Sequence, residues 1–184
     1  FGTSFAARRP VASLVRDTLP NTLLLAALAL ALRFGLGIAA GTWAALRHGT
    51  GVDRGLRVAA LIVYSMPSFW LGVMLQLLFA YTWHWLPPDS RHGLDHATLP
   101  FLARVGDTLR HLVLPVCVLG LGGAASTLRY MRASLLETLS QEHVQAARAR
   151  GLPERTVVLH HALRNALAPI VTLVGMSLPA LVGG

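Results

Sequence analysis

The sequence predicts an all-α membrane protein, a polytopic bundle of transmembrane helices. Of its 184 residues, 54% are hydrophobic and only 13% are charged, which is about half the charged share of a typical soluble domain. The charges are clustered, so that several long stretches contain one or none, and about 20 apolar residues suffice to cross a bilayer as a helix. These stretches lack the alternation of apolar and polar residues that a transmembrane β-barrel requires.

Four apolar stretches are candidates for transmembrane spans. They cover residues 19–46, 58 to about 83, 112–128 and 166–184. The first is interrupted only by Arg33, the second contains no acid or base, and the third is short and rich in glycine. The fourth is still apolar at its last residue, and the sequence opens on Phe1 rather than Met. We therefore expect a fragment with further sequence on both sides.

The distribution of charge predicts the orientation of these spans. The net charge of +8 comes from arginine alone, since the sequence has no lysine. Residues 47–57 carry three arginines and one acid, and residues 129–164 carry six arginines and three acids, whereas the charges of residues 87–111 balance. Because arginine-rich loops stay in the cytoplasm, we place the first and third loops there. The chain then divides into an external segment, residues 1–18, and a transmembrane domain, residues 19–184.

The third loop, at about residues 132–165, is predicted to contain a helix, a corner and a second helix. Residues 133–150 carry an apolar stripe at helical spacing, with acids early and arginines late, as the helix dipole favours. Gly151 follows where helices often end in a left-handed conformation, and Pro153 suits the first turn of the next helix. The stripe consists of Leu135, Leu136, Leu139, Val144 and Ala147.

The corner itself is rich in small residues, which allow a close approach by another surface. They are Ala146, Ala147, Ala149 and Gly151. The pattern alone leaves two interpretations open. The segment either contacts a protein partner or lies as an amphipathic linker on the lipid headgroups, held there by its arginines.

The same segment resembles the EAA loop of ABC-transporter importer permeases. That motif reads Glu-Ala-Ala, three residues, Gly, nine residues, and then an apolar residue, any residue, Leu and Pro. Here two alanines and Gly151 are in register, with Gln145 in place of the acid, His161 in place of the apolar residue and Arg164 in place of the proline. The run RASLLETLSQEHVQAARARGLPERTVVLHHALRNALAPIVT, together with LPNTLLL before the first span and YSMPSFWLG in the second, resembles the dipeptide and oligopeptide importer branch. The resemblance covers nearly the whole chain.

The resemblance implies a multi-pass permease of the bacterial inner membrane, usually with six spans per subunit. The implied partners are cytoplasmic ABC ATPase subunits, a second homologous permease and an extracytoplasmic solute-binding protein, besides the membrane lipids. Di- or oligopeptides are the implied solutes, and nickel or another small solute moved by the same mechanism is the alternative. The residues expected to couple to the ATPase are Gln145, Ala146, Ala147, Arg150, Gly151, Leu152, Glu154 and Leu163.

Arg33 and Pro67 are the candidate residues of a transport pathway. Arg33 lies near the middle of the first span, where a charge costs a few kcal/mol on insertion scales. It either meets a carboxylate of the solute or pairs with a polar group of another span, unless the helix slides to bring it to an interface. Pro67 is expected to kink the second span, a feature that packing explains about as well as a pathway does.

Several other functions find no support in the sequence. It contains no glycine-rich phosphate loop ending in Lys-Ser/Thr, so we expect a transport subunit that does not bind ATP and is not an enzyme. No catalytic residue, cofactor or metal site is predicted: Cys117 is alone, and of the external histidines only His92 and His96 are even loosely paired. The uncharged runs argue against a nucleic-acid partner. A stand-alone secondary carrier or channel remains the alternative from another class.

Overall fold

The computed structural model describes residues 2–3, 8–88 and 99–179, which are helical apart from turns and an isolated β-bridge between Thr3 and Pro10. Eight α-helices lie within these residues: α1 (Val11–Leu46), α2 (Gly51–Ser65), α3 (Ser68–Leu75), α4 (Phe101–Ser140), α5 (Glu142–Ala149), α6 (Glu154–Thr156), α7 (Leu163–Ala166) and α8 (Ala168–Ser177). One π-helix, Gln76–Thr82, continues α3, and another, Val157–Ala162, joins α6 to α7. The predicted all-α fold is confirmed.

Two of these helices are long and apolar enough to cross a membrane by themselves. They are α1, with 36 residues, and α4, with 40 residues. Two bent helix pairs, α2 with α3 and α6–α7 with α8, pass the same test as pairs, which gives up to four spans. Since about 20 residues cross the bilayer core, both α1 and α4 extend beyond it. The prediction of a helical bundle with about four spans is therefore confirmed.

Some predicted features fall partly outside the described residues. Helix α1 begins at Val11, within the predicted external segment, and residues 1 and 4–7 of that segment are not described. Residues 89–98 of the external loop, with His92 and His96, also lie outside the described residues, as do residues 180–184 of the fourth predicted span.

Helices α1 and α4 pack closely because glycines line their contact. A Cβ atom at Gly37 would lie 2.5 Å from the Cβ of Thr127, and one at Gly41 would lie 2.7 Å from the carbonyl oxygen of Leu128. The two glycines are four residues apart and therefore share one face of α1. Small residues at this spacing are a common way for helices to associate in membranes, where there is no hydrophobic force between them.

The second predicted span is not one straight helix. Met66 has an extended backbone (φ −78°, ψ 127°), and the axes on the two sides of Pro67 differ in direction by 103°. Proline has no N–H to donate to a helix and pushes the preceding residue out of the helical region, which explains the break at this position. Helix α2 also starts at Gly51, seven residues before the predicted beginning at Val58.

The predicted helix over residues 133–150 is also wrong as one element. Its first part belongs to α4, which ends at Ser140, and Gln141 is extended (ψ 150°) before α5 begins. The Ser140 hydroxyl donates to the Glu137 carbonyl oxygen over 2.7 Å, and such local bonds from serine compete with helix continuation. The apolar residues of the predicted stripe face the same core before and after this break, because α5 folds back onto the end of α4.

The main hydrophobic core lies at the end of α4 that the charge pattern places in the cytoplasm. Helices α5, α7 and α8 and the second π-helix pack there against α1 and α4. The buried residues of this core are Phe34, Ala45, Met131, Leu135, Val144, Ala147, Val157, Ala162, Ala166 and Ile170. The Ser134 hydroxyl also donates to the Ala166 carbonyl oxygen over 3.0 Å. The third loop, which the charge pattern predicts to be cytoplasmic, is thus a packed extension of the bundle rather than a loose linker.

Candidate functional site

The chain turns sharply at Gly151, between α5 and α6. Gly151 has a left-handed backbone (φ +78°). Its N–H donates to the Arg148 carbonyl oxygen over 2.9 Å, and the N–H of Leu152 donates to the Ala147 carbonyl oxygen over 3.4 Å. These are the two hydrogen bonds of a Schellman motif, and the left-handed glycine that ends the helix was predicted from the sequence. No atom lies within 4 Å of the position of an added Cβ, so glycine is needed here for its backbone conformation and not for space.

Six of the eight residues predicted to couple to an ATPase lie exposed at this turn. They are Gln145, Ala146, Arg150, Gly151, Leu152 and Glu154. We call this set the corner surface. Ala147 is fully buried and Leu163 is half-buried against the main core, so Ala147 cannot contact a partner directly. Helical periodicity explains the difference, since Val144 and Ala147 lie three residues apart and turn the same side of α5 inward.

Arg148 and Glu154 form an ion pair that bridges the two sides of the corner. The Arg148 Nη2 donates to Glu154 Oε1 over 2.7 Å, and the Nε donates to Oε2 over 3.1 Å. This is the bidentate geometry that favours arginine over lysine. The hydrogen bonds from Arg148 lower the pKa of Glu154, although burial acts in the opposite direction. The pair holds α5 and α6 at a defined angle, and it was not predicted, because the sequence shows neither the turn's geometry nor the rotamers.

Two side chains of α5 also cap the end of α4. The amide of Gln145 donates to the Leu139 carbonyl oxygen over 3.0 Å, and Arg148 Nη1 donates to the same oxygen over 3.4 Å. The last carbonyl groups of a helix have no partner within it, so these bonds satisfy one of them. A carboxylate has no proton to donate when ionised, so glutamine at the motif's acidic position makes a bond that glutamate could not make.

A buried carboxylate, that of Asp53, lies at the start of α2. Asp53 is 1% exposed and accepts two hydrogen bonds from Arg132 of α4, from Nε over 2.7 Å and from Nη2 over 2.8 Å. The N–H of Gly49 donates to Oδ2 over 3.1 Å, and Arg57 and His48 lie 3.4 Å away. Asp53 precedes the apolar stretch that begins at Val58. The hydrogen bonds from Arg132 hold its pKa well below the usual range, against the effect of burial.

Sequence reasoning counted Asp53 only as one acid in an arginine-rich loop. The available signal was its position. An acid in the first turn of a helix suits the helix dipole, and Arg57 one turn later can form an i,i+4 pair with it. Its partner Arg132 is 79 residues away in sequence, so only the packing of α2 against α4 reveals the bond.

Arg33 lies where α1, α4 and α8 meet. Its side chain passes over Gly123, where an added Cβ would lie 2.5 Å from the Arg33 Cδ. Its Nη1 donates to the Ser177 hydroxyl over a long 3.5 Å, its guanidinium lies 4.9 Å from the ring centre of Phe34, and its buried Nε has no hydrogen-bond partner among the described residues. No carboxylate of the described residues is paired with it.

Pro67 lies exposed at the bend between α2 and α3, beside Ile62 and Trp70. The predicted kink is confirmed, whereas Arg33 and Pro67 are not brought together by the structure. Gly72 of α3 lies against Val118 of α4, with 3.6 Å from an added Cβ, so α3 packs on the bundle beyond the bend.

Comparison with known proteins agrees with this architecture. The profile of the family described as "Binding-protein-dependent transport system inner membrane component" matches residues 37–184. The oligopeptide transport system permease protein AppB of Bacillus subtilis (strain 168) is 34% identical over 185 aligned residues, covering 100% of this chain and 57% of the relative. The di/tripeptide transport system permease protein DppB of Pseudomonas aeruginosa (strain UCBPP-PA14) is 36% identical over 200 aligned residues, covering 100% of this chain and 58% of the relative.

The chain thus spans little more than half the length of these curated relatives. The region matched by the family profile contains α4, the corner surface, Asp53 and the C-terminal part of α1, residues 37–46. The family match and the named relatives confirm the resemblance to importer permeases of the peptide branch and the predicted location in a bacterial inner membrane. Both relatives are named as permease components of transport systems. The chain belongs to the family of binding-protein-dependent transport system inner membrane components.

Proposed function

We propose that this chain is part of the permease subunit of an ATP-driven importer that carries di- or oligopeptides across the inner membrane. A separate cytoplasmic ATPase docks on the corner surface, a second homologous permease completes the membrane pore, and an extracytoplasmic binding protein delivers the solute. The relatives named above are permeases for oligopeptides and di/tripeptides, which favours peptides over nickel.

The observation that carries the proposal is the construction of the corner surface. The residues of the corner surface are exposed and small or flexible. On the opposite side of α5, Val144 and Ala147 are buried in the core that α1, α4 and α8 share. A partner that moves the corner therefore moves the ends of the spans with it. An effector drives a conformational change only through contacts that differ between the two states, and a rigid corner continuous with the spans meets this requirement.

The ion pair of Arg148 and Glu154 and the capping bonds to Leu139 give the corner its rigidity. A flexible linker lying on headgroups would need none of these bonds. In the proposed cycle, ATP binding closes the ATPase pair and the corner transmits that motion to the spans. The chain itself contributes no catalysis.

We further propose that Arg33 lines the solute pathway. A guanidinium has five N–H donors, and among the described residues Arg33 uses one of them, over a long distance, on Ser177. A peptide carboxylate would supply the opposite charge, since no carboxylate of the described residues is paired with Arg33. Pro67 contributes indirectly in this proposal, through the bend that it imposes between α2 and α3.

Purification of the full-length protein from its host in a gentle detergent tests the docking proposal. Ala146→Trp adds bulk to an exposed position of α5 and should abolish co-purification of a nucleotide-binding ATPase, while the second permease is retained. Ala103→Trp is the matched control, since Ala103 is an exposed alanine near the opposite end of the bundle. Full retention of the ATPase by Ala146→Trp, or a wild-type chain that purifies alone, would contradict the proposal.

A further inference from the structure

The Asp53–Arg132 pair is the most deeply buried ion pair among the described residues, with side chains 1% and 16% exposed. Removing two charges from water is costly, so a buried pair is usually a weak source of net stability. Breaking one by removing a single partner is strongly unfavourable, because the other charge stays buried without compensation. Such a pair therefore fixes one arrangement of the two elements more effectively than it stabilises the fold.

The same two elements, α2 and α4, also meet through an apolar contact and through the stacking of Arg129 on Tyr64. Helix α2 contacts the rest of the described bundle mainly through α1 and α4, and its apolar contact consists of Ala60 with Ala125 and Leu128, supported by partly buried neighbours. Much of its remaining surface is exposed, including Val58, Leu61 and Ile62. The ion pair ties the loop end of α2 to α4.

Arg132 occupies a particular place on α4. It lies next to Met131 and three residues before Leu135, both fully buried in the core that also contains Val144 and Ala147 of α5. The segment of α4 that carries Arg132 therefore forms one packed unit with the underside of the corner surface. Movement of the corner would pass through this unit to Arg132, and from Arg132 to Asp53.

The loop between α1 and α2 is shaped around the same carboxylate. Gly49 has a left-handed backbone (φ +78°), and its N–H donates to Asp53 Oδ2. His48 also approaches, with its Nδ1 3.0 Å from Arg132 Nη2. Two residues of the loop between α1 and α2, His48 and Gly49, thus contact the ion pair.

We infer that Asp53 and Arg132 are positioning residues for transport: they make the α1–α2 loop and α2 move together with the corner surface, so that ATP-driven motion reaches the bent α2–α3 pair. The inference rests on the proposed function and assigns it a second mechanical connection. Without the pair, the corner still docks the ATPase, but α2 and α3 no longer follow α4.

The test uses the full-length permease assembled with its ATPase, sister permease and binding protein in proteoliposomes. ATP hydrolysis and uptake of a radiolabelled dipeptide are measured together. In Asp53→Asn and Arg132→Gln, the ATPase should remain bound and ATP should still be hydrolysed. The peptide taken up per ATP hydrolysed should fall by roughly 10-fold, as expected from the loss of hydrogen bonds to a charged group. The double variant should be no worse than either single variant, because both remove the same interaction.

Arg54→Gln provides the matched control, since Arg54 is an exposed arginine of α2 next in sequence to Asp53, and its loss removes one positive charge without removing either partner of the pair. It should leave uptake per ATP unchanged. Arg132→Lys keeps the charge but not the two-bond geometry, and an intermediate ratio is expected.

Unchanged uptake per ATP in Asp53→Asn and Arg132→Gln would overturn the inference. So would losses that add in the double variant, or an equal loss in Arg54→Gln. If none of the Asp53 and Arg132 variants assembles, the pair is a folding element and the inference is also wrong. Failure of the proposed function gives a different result, namely a wild-type assembly without ATP-driven peptide uptake.

Discussion

Gly41 of α1 lies directly against the backbone of Leu128 in α4. A Cβ atom at Gly41 would be 2.7 Å from the Leu128 carbonyl oxygen and 2.8 Å from the Cβ of Met131. Because one of these neighbours is backbone, it cannot rotate away. The distance between the two long helices is therefore set by the absence of a side chain at this position.

We expect Gly41→Ala to destabilise the protein, whereas Gly35→Ala should not. Forcing extra volume into a packed contact typically costs about 1–3 kcal/mol, while alanine in an open helical position gains up to about 1 kcal/mol over glycine. Gly35 is on the same helix with no atom within 4 Å of an added Cβ. Thermal unfolding of the full-length protein in detergent measures the difference, and equal midpoints for the two variants would show that α1 and α4 are not in close contact.

Gly151→Ala should weaken the corner surface. Its left-handed backbone (φ +78°) costs a residue with a Cβ roughly 1–2 kcal/mol, and asparagine tolerates this conformation better than alanine does. We therefore expect ATPase co-purification to fall in the order wild type, Gly151→Asn, Gly151→Ala. Gly55→Ala is the control, because Gly55 lies in α2 with open space around it and no left-handed backbone. A Gly151→Ala protein that binds the ATPase as the wild type does would rule out a role for the turn.

Glu154→Gln and Arg148→Gln should each loosen the corner, with only a small effect on global stability. The side chains are 62% and 34% exposed, and exposed ion pairs contribute at most about 1 kcal/mol. We expect co-purification of the ATPase to fall in each variant before unfolding is affected, and the difference from the wild type to be largest at low salt, where the pair is least screened. The exchanged variant Arg148→Glu/Glu154→Arg should recover part of the loss. If the exchanged variant recovers no ATPase binding at either low or high salt, the ion pair does not hold the corner in place.

The same pair predicts a dependence on pH. Because Arg148 lowers the pKa of Glu154 in the folded protein, the pair stabilises the corner above the unfolded-state pKa of the carboxyl group. This contribution is lost as the pH falls through the lower, folded-state pKa. ATPase binding by the wild type should therefore weaken at acidic pH more steeply than binding by Glu154→Gln, and parallel pH profiles would contradict this role.

Arg33→Gln should reduce peptide uptake without releasing the ATPase, because Arg33 lies among α1, α4 and α8, away from the corner. Arg33→Lys should retain part of the uptake, since it keeps the charge but loses the planar donor arrangement. Arg54→Gln, at an exposed position of α2, serves as the control for the loss of one charge. Uptake of peptides with a free or an amidated C-terminus provides the decisive comparison. An equal loss for both would exclude a contact with the carboxylate.

The class of the protein was predictable from composition, because a membrane span needs about 20 apolar residues, and the expected orientation follows from the placement of arginine. Long uncharged runs require helices, since a helix satisfies its own backbone in lipid. The turn at Gly151 was predictable for a similar reason: a Schellman motif is local, and only glycine adopts its left-handed position at little cost. The bend at Pro67 was expected as well, although its 103° magnitude depends on how α3 packs against α4.

Which charges meet depends on the packing of the helices. Asp53 and Arg132 are 79 residues apart, and Arg33 and Ser177 are 144 apart, so no local pattern connects them. The break at Gln141 was missed because the apolar stripe continues across it: the periodicity of side chains reports which face is buried, not whether the helix axis is continuous. Where α5 folds back onto α4, the carbonyl of Leu139 gains Gln145 as a donor. Pairings of this kind depend on the distance between helices, which glycines such as Gly41 set through contacts that no single segment of sequence contains.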